Sequence, residues 1–232
     1  MHNKIIILSI VLVLIVLFTQ TSLAEFSIIL NFDDAYQGVY VHAFQEMKKY
    51  NIPAVVFVIT KYLGHEKHLS LKQLAELKSA GWEIGSHTIN HYDLTTVIPE
   101  FLHKEIIDSK QILKNNELID NDFASFCSPN GKWSPTIEKI VSANYTIARG
   151  DKLYIFNKTQ NEDIIPKVIV KTTSINRIKQ WIEEYQKKDQ PLILVFHEVA
   201  DGGNEFFFPP DKFKELLLLL KEYKISLFKD LI

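Results

Sequence analysis

The stretch FSIILNFDD, residues 26–34, shows the pattern that recurs along the rest of the chain. Residues 26–32 form a mostly apolar run of strand length, and this run stops on two adjacent carboxylates, Asp33 and Asp34. An apolar run that does not alternate with polar residues is typical of a strand covered on both faces. The stretch therefore predicts a parallel strand inside a layered α/β fold, with reactive side chains at its carboxyl end.

Three further apolar runs end in the same way. WEIGS (82–86) stops on His87, with His91 four residues later, FASFC (123–127) stops on Ser128-Pro129-Asn130-Gly131, and PLILVF (191–196) stops on His197-Glu198. In folds built from repeated strand–helix units, the carboxyl ends of the strands meet on one face, and that face holds the active site. We therefore expect residues spread over most of the chain to meet in one pocket.

Strand-like and helix-like segments alternate after residue 25. The pattern predicts strands at 26–32, 53–59, 82–86, 123–127, 145–148, 168–172, 191–196 and 225–228, helices at 36–50, 70–81, 99–116, 174–188, 210–223 and from 134 onward, and a polar loop at 150–166. Seven or eight βα units with right-handed crossovers predict an α/β fold, either a barrel or a doubly wound sheet. No repeat or linker marks a boundary, so residues 25–232 are predicted to form a single domain.

The composition excludes some classes of protein. The chain has 232 residues, of which 47% are hydrophobic, so a full core is available. A net charge of -2 and a pI near 6.4 provide no basic surface for nucleic acid, and we expect no nucleic-acid partner. Because Cys127 is the single cysteine, an internal disulfide is excluded.

Residues 1–24 have the composition of a targeting segment. A short basic start (1–4) precedes an apolar run (5–18), and Ser22-Leu23-Ala24 fits a small-x-small cleavage site. The run is short for a membrane-spanning helix. We expect a cleaved signal peptide, with a retained N-terminal anchor as the alternative. Either one places the domain outside the cytoplasm, secreted or anchored at the cell surface, and membrane contact requires that the segment be retained.

The residues at the strand ends point to a metal site. His87 and His91 form an H-x-x-x-H pair, which can bind one metal ion if the residues form a helical turn. The alternative is two solvated or capping histidines. The carboxylates of Asp33 and Asp34 repel each other unless a cation or a proton reduces that repulsion. The alternative to a metal site is a polar strand end with an aspartate that caps the next helix.

Two further elements could complete a catalytic site. His197 follows the most hydrophobic strand and can donate a proton near neutral pH, unless it is a histidine satisfied at a barrel rim. The turn Pro129-Asn130-Gly131 can aim a backbone N–H at an oxyanion, or it is an ordinary loop. Two histidines and one aspartate leave metal positions open, as in catalytic zinc sites, while the second aspartate and His197 supply a base and an acid. The combination predicts metal-assisted hydrolysis.

Four motifs together resemble one known family. Asn31-Phe32-Asp33-Asp34, His87-Thr88-Ile89-Asn90-His91, Cys127-Ser128-Pro129-Asn130-Gly131 and Leu194-Val195-Phe196-His197 are similar, in order and spacing, to the motifs of the polysaccharide deacetylases, the NodB homology domains of carbohydrate esterase family 4. The resemblance covers about residues 26–230. It implies a distorted (β/α) barrel of seven or eight units and a divalent metal, with Zn²⁺ first and Co²⁺, Ni²⁺ or Mn²⁺ as alternatives. It also implies removal of N-acetyl, or in some members O-acetyl, groups from a polysaccharide or oligosaccharide.

The resemblance also implies roles by position. Asp34, His87 and His91 would bind the metal, and Asp33 would be the base that activates a metal-bound water for attack on the acetamide carbonyl. The metal and the backbone N–H of Asn130, in the turn from Pro129 to Gly131, would hold the oxyanion, and His197 would protonate the leaving amine.

The chain departs from the family pattern at three places. Ala35 stands where the first motif usually has glycine, and His197 has no evident aspartate partner. Cys127 stands where the third motif usually has an arginine that pairs with the base, and a cysteine cannot form that charge-assisted pair. Arg149, at the end of the fifth predicted strand, is a candidate substitute, with a surface position as the alternative.

These departures leave alternatives open. One is a catalytically impaired, carbohydrate-binding relative with the same fold. A glycosidase with two carboxylates is disfavoured, because Asp33 and Asp34 are neighbours and the histidine pair would then have no role. The glycan stays open among chitin-like oligomers, peptidoglycan and exopolysaccharide.

Overall fold

The computed structural model describes residues 26–158 and 163–232. The predicted targeting segment, residues 1–24, lies outside the described residues. Within the described part of the chain, no helix combines the length and the apolar character needed to cross a membrane.

An eight-stranded sheet, curled into half a barrel, organises the fold. Its strands are β1 (Ile28–Phe32), β2 (Val55–Val58), β3 (Glu83–Ser86), β4 (Ser125–Cys127), β5 (Ile147–Arg149), β6 (Leu153–Ile155), β7 (Lys167–Val168) and β8 (Leu192–Phe196). They lie side by side in the order β6-β5-β4-β3-β2-β1-β8-β7. Among the described residues β6 and β7 form the two edges and do not pair, so the sheet has an open seam between them. A separate short pair, β9 (Glu198–Val199) and β10 (Phe207–Phe208), follows β8.

Helices cover the outer face of the sheet. They are a composite first helix made of a π-helix (Val39–Phe44), α1 (Gln45–Met47) and a 3-10 turn (Lys48–Tyr50), followed by α2 (Leu71–Ser79), α3 (Pro99–Asn115), α4 (Pro135–Ser142), α5 (Ile175–Lys188) and α6 (Pro210–Leu220). Ser70 and Gln73 form a capping box at the start of α2, and the side chains of Ser134 and Ser174 accept backbone N–H bonds at the starts of α4 and α5.

The two faces of the strands pack into two separate cores. In β1, Ile28 and Leu30 point into the core shared with the helices, and Ile29 points into the concave interior of the half-barrel. The same interior cluster contains Cys127 and Phe228, and Phe228 begins the last 3-10 helix (Phe228–Leu231). Burial on both faces explains why the strands appear in the sequence as continuous apolar runs.

The α/β barrel-like fold is confirmed, while three details of the predicted arrangement are wrong. The stretch 150–166 contains β6, which pairs antiparallel to β5, whereas every other strand pair of the sheet is parallel. The strand predicted at 168–172 ends at Val168, because the chain then turns, with the Thr173 N–H bonded to the Val170 carbonyl. Residues 225–228 do not form a strand: Ile225 makes one isolated bridge to Ile28, and Phe228 begins a 3-10 helix.

Candidate metal centre and active-site pocket

Side-chain alternation brings the reactive residues together inside the half-barrel. In each strand every second residue faces the interior, and continuing that alternation past the strand ends places Asp33, His87 and His197 on the same side as Cys127 and Arg149. The carboxyl ends of β1, β3, β4, β5 and β8 thereby surround a pocket of about 440 Å³. Its lining residues are Asp33, His87, His91, Asn130, Gly131, Arg149, Gly150, Asp151, Pro166, Val168, Val195, His197 and Phe206.

Asp34, His87 and His91 form a compact set of metal-binding atoms. Asp34 Oδ1 lies 3.5 Å from Nε2 of His87 and 3.5 Å from Nε2 of His91, and the three ligand atoms lie within 4.8 Å of one another. His87 Nδ1 lies 2.8 Å from the Cys127 carbonyl oxygen, and donation of an Nδ1 proton to that oxygen would leave Nε2 as the ligand nitrogen. Asp34 Oδ1 is buried, and within the described structure it has no hydrogen-bond partner.

The electrostatics of this set suit a cation. Burial and the neighbouring Asp33 charge raise the pKa of Asp34 to about 7, and burial lowers the pKa of His87 to about 3. Asp34 is a buried carboxylate that is costly to ionise, and its imidazole neighbours are neutral. A positive ion bound between these three side chains would stabilise the ionised form of the carboxylate. The donor set and the unpartnered Asp34 oxygen therefore fit a divalent metal.

The histidine pair does not lie on a helical turn. Residues 87–91 follow an irregular path in which Thr88 and His91 have left-handed backbone conformations, with φ of 66° and 62°. The two rings nevertheless lie 4.7 Å apart. The bend of this loop, and not the helical turn that would also pair residues at this spacing, brings the two histidines together.

Glu105, in α3, holds this loop in place, a role that the sequence motifs do not predict. Its buried carboxylate accepts hydrogen bonds from the backbone N–H groups of Ile89 (3.0 Å) and Asn90 (2.8 Å) and from the Asn90 side chain. The one available signal was a glutamate at a position of α3 that the helical pattern assigns to the buried face.

Arg149 lies against Asp33. Its guanidinium forms an ion pair with Asp33 Oδ2, contacts Cys127 Sγ, and donates from Nε to Asn31 Oδ1 at 2.9 Å. Asn31 in turn donates from Nδ2 to Asp33 Oδ1 at 2.9 Å. Burial alone would raise the pKa of Asp33, but the positive charge and the hydrogen bond of Arg149 hold that pKa well below its usual range.

Strand register explains how Arg149 reaches this place. Cys127 in β4 and Arg149 in β5 are directly paired residues of neighbouring parallel strands. Both side chains therefore point into the same interior, one strand spacing apart. Burial raises the pKa of the Cys127 thiol, so its side chain is neutral and the guanidinium is the positive group beside Asp33.

The remaining predicted site residues lie around the same pocket. Asn130 and Gly131 line it and have left-handed conformations, with φ of 55° and 66°, while Pro129, the first residue of this turn, is buried. His197 lies at the end of β8 with its ring 4.9 Å from that of Phe206. In the described structure His197 Nδ1 is buried without a hydrogen-bond partner. Asp151, which also lines the pocket, accepts a hydrogen bond from the Tyr154 hydroxyl at 2.7 Å.

Comparison with known proteins decides the family. The family model described as polysaccharide deacetylase matches residues 21–148, more than half of the chain. The chain belongs to the polysaccharide deacetylase family. The family resemblance that the four motifs indicate is thereby confirmed.

Two curated relatives are similar to this chain over part of their length. The chain is 37% identical over 92 residues to YxkH of Bacillus subtilis (strain 168), whose name assigns it to the polysaccharide deacetylases, and this match covers 40% of the chain and 33% of YxkH. It is 25% identical over 189 residues to the poly-β-1,6-N-acetyl-D-glucosamine N-deacetylase of Staphylococcus aureus (strain COL), over 71% of the chain and 61% of that enzyme. The chain thus spans about a third and about three fifths of these relatives.

Solved structures agree on the fold. A family 4 acetyl xylan esterase from Clostridium thermocellum, in complex with cobalt, superposes with a TM-score of 0.64 over 89% of this chain and 90% of that one. Its sequence identity is 18%, so the likeness concerns the fold alone.

Proposed function

We propose that this protein is a divalent-metal-dependent hydrolase that removes N-acetyl groups from a polysaccharide of amino sugars. The observation that carries the proposal is the set Asp34, His87 and His91, with its unpartnered buried carboxylate oxygen, in direct contact with a pocket that also holds Asp33 and His197. The staphylococcal relatives named as N-acetylglucosamine polymer deacetylases support the choice of substrate. O-acetyl groups are a secondary candidate, since esters need the same attack on a carbonyl.

The proposed metal ligands are Asp34 Oδ1, His87 Nε2 and His91 Nε2. Two imidazoles and one carboxylate suit Zn²⁺ and also accept Co²⁺, Ni²⁺ or Mn²⁺. A divalent ion bound there would act as a Lewis acid toward the acetyl carbonyl and would lower the pKa of water.

Asp33 is the proposed general base. The charge of Arg149 keeps its carboxylate ionised, and the hydrogen bond from Asn31 fixes its orientation. An ionised, oriented carboxylate beside the metal set can take the proton of the attacking water. Arg149 is thus the proposed counterpart of the arginine that the family usually has at the position of Cys127, and its presence argues against the catalytically impaired relative.

The oxyanion donor and the general acid are proposed to be two other groups that line the pocket. The backbone N–H of Asn130 is proposed to donate to the acetyl oxygen as negative charge develops there, since the turn of which it is part lines the pocket. His197 is proposed to protonate the amine nitrogen as the bond to the acetyl carbon breaks. The products are acetate and a free amino sugar. We propose further that the domain works outside the cytoplasm, because residues 1–24 have the composition of a signal peptide.

Acetate release from N-acetylglucosamine oligomers tests the assignment, with Asp33→Asn and His197→Ala as variants. General acid–base groups contribute about 100-fold or more to rate, so each variant should lose at least that factor in kcat while retaining bound metal. Glu198→Gln is the matched control, since Glu198 follows His197 but hydrogen-bonds the Gly38 N–H instead of lining the pocket. Full activity in Asp33→Asn or in His197→Ala would contradict the corresponding role.

A further inference from the structure

One side of the catalytic pocket is apolar and remains open to solvent. Pro166, Val168 and Phe206, here called the seam wall, line the pocket on the β7 side of the open seam. Val168 is 45% exposed and Phe206 is 39% exposed. Large apolar side chains exposed together in a groove mark a ligand-binding surface more often than scattered ones do.

The seam wall is held in place by backbone contacts. Lys171, just after β7, donates its N–H to the carbonyl of Glu205 at 2.7 Å, which ties the segment of Val168 to that of Phe206. Pairing of β9 with β10 closes the loop that carries Phe206. A preformed surface of this kind binds a ligand without the cost of ordering a loop.

The pocket also extends across the seam. Gly150 and Asp151 line it on the β5–β6 side, and Pro166 and Val168 line it on the β7 side. A pocket bounded by both edges of an open sheet suits a chain that passes through it. The ring of Phe206 lies 4.9 Å from that of His197, so a group stacked on Phe206 would adjoin the reacting position.

We propose that the seam wall is a sugar-binding subsite for the glycan residue next to the one that loses its acetyl group. The proposal rests on the proposed function and adds which side chains would bind the neighbouring sugar of the polysaccharide. A pyranose ring has polar edges and apolar C–H faces, and an exposed aromatic face next to polar groups matches that pattern. The C–H face would pack on Phe206 and Val168, and the hydroxyl groups would face the polar side of the pocket.

Phe206→Ala tests the subsite with two substrates, a β-1,6-linked N-acetylglucosamine pentamer and the small ester 4-nitrophenyl acetate. We expect KM for the pentamer to rise about tenfold, equivalent to about 1.4 kcal/mol of binding free energy. The kcat/KM for the ester should stay within about twofold, because the ester has no second sugar. Phe206→Tyr should retain the wild-type KM, and Phe101→Ala, which truncates an exposed phenylalanine of α3, is the control.

If KM for the pentamer is unchanged in Phe206→Ala, or if kcat/KM falls equally for the pentamer and the ester, the subsite proposal is wrong. If the wild-type protein releases no acetate from the pentamer, the proposed function fails, but calorimetric titration with the pentamer still decides the subsite. Binding about tenfold weaker in Phe206→Ala than in the wild type would support the seam wall, and equal binding would overturn it.

Discussion

Replacing Arg149 with methionine should both destabilise the fold and slow deacetylation. Arg149 and Asp33 are both buried, and they form an ion pair to which Asn31 adds a hydrogen bond to each partner. The substitution leaves the Asp33 carboxylate buried beside Asp34 with no guanidinium. Removing one partner of a buried pair costs about 3–5 kcal/mol. For a domain of this size that corresponds to a fall in Tm of roughly 6–20 °C.

The pairing of β4 with β5 offers a rescue that distinguishes the guanidinium charge from simple packing. Because Cys127 and Arg149 are register partners, the exchange Cys127→Arg/Arg149→Cys moves the guanidinium by one strand, about 4.8 Å, within the same interior. It would also restore arginine at the position where the family usually has it. We expect the exchange variant to recover more than half of the stability and activity that Arg149→Met loses.

Urea unfolding and acetate release, measured on the same preparations, check both effects. Arg177→Met is the matched control, because Arg177 lies in α5 with its guanidinium 5.1 Å from the Trp181 ring and has no buried carboxylate partner in the described structure. If Arg149→Met keeps the wild-type free energy of unfolding and the wild-type turnover, the assigned role of the pair is refuted. An exchange variant no better than Arg149→Met would show that the β5 position itself is required.

Three other perturbations follow from buried groups. Glu105→Gln should weaken divalent-metal binding about 10-fold to 100-fold, because it removes the charged acceptor that holds the histidine loop, as a chelator-competition titration can measure. Burial raises the pKa of Glu83 from 4.5 to about 7. As the pH rises, the unfolded chain therefore loses this proton before the folded chain does. The free energy of unfolding should fall by about 3 kcal/mol between pH 4.5 and 7. Glu83→Gln should remove that fall, as urea unfolding at several pH values would show. Gly85→Ala should destabilise the fold by about 1–3 kcal/mol in the same unfolding assay, because the added methyl would lie 2.3 Å from the Phe57 ring.

Each of these predictions has a clear contrary result. Asp108→Asn removes an exposed carboxylate from the same helix as Glu105 and should leave the metal affinity at its wild-type value. If Glu105→Gln binds the metal as tightly as Asp108→Asn does, the proposed role of the loop contact is wrong. For Glu83, a free energy of unfolding that is flat in the wild type from pH 4.5 to 7 would contradict the raised pKa. For Gly85, a wild-type Tm in the alanine variant would show that Phe57 can move aside.

Local chemistry explains why much of the fold is predictable from the sequence. Ser70 and Ser134 start helices because their side chains satisfy backbone N–H groups, and this depends on residues only three positions away. Strands buried on both faces are apolar throughout, so their ends are visible as the first polar residues, such as Asp33 and His87.

The parts that the sequence did not predict depend on contacts between distant residues. β6 is three residues long in a polar context, and it is a strand because the free edge of β5 pairs with it. The histidines of residues 87–91 come together through left-handed backbone angles, and hydrogen bonds to Glu105 in α3 support this loop. A glutamate on the buried side of a predicted helix does not by itself reveal which loop it contacts. Arg149 was recognisable as a candidate by its place at a strand end, but its pairing with Asp33 requires the register of β4 and β5.

Asp34, His87 and His91 are proposed to hold the divalent ion needed for deacetylation. The most direct measurement is acetate release from an N-acetylglucosamine oligomer by chelator-treated protein, titrated with Zn²⁺. We expect no release without metal, recovery that saturates at one ion per chain, and no recovery in a His91→Ala variant. Full release by the metal-free protein, or one tightly bound ion per chain without any acetate release, would contradict it.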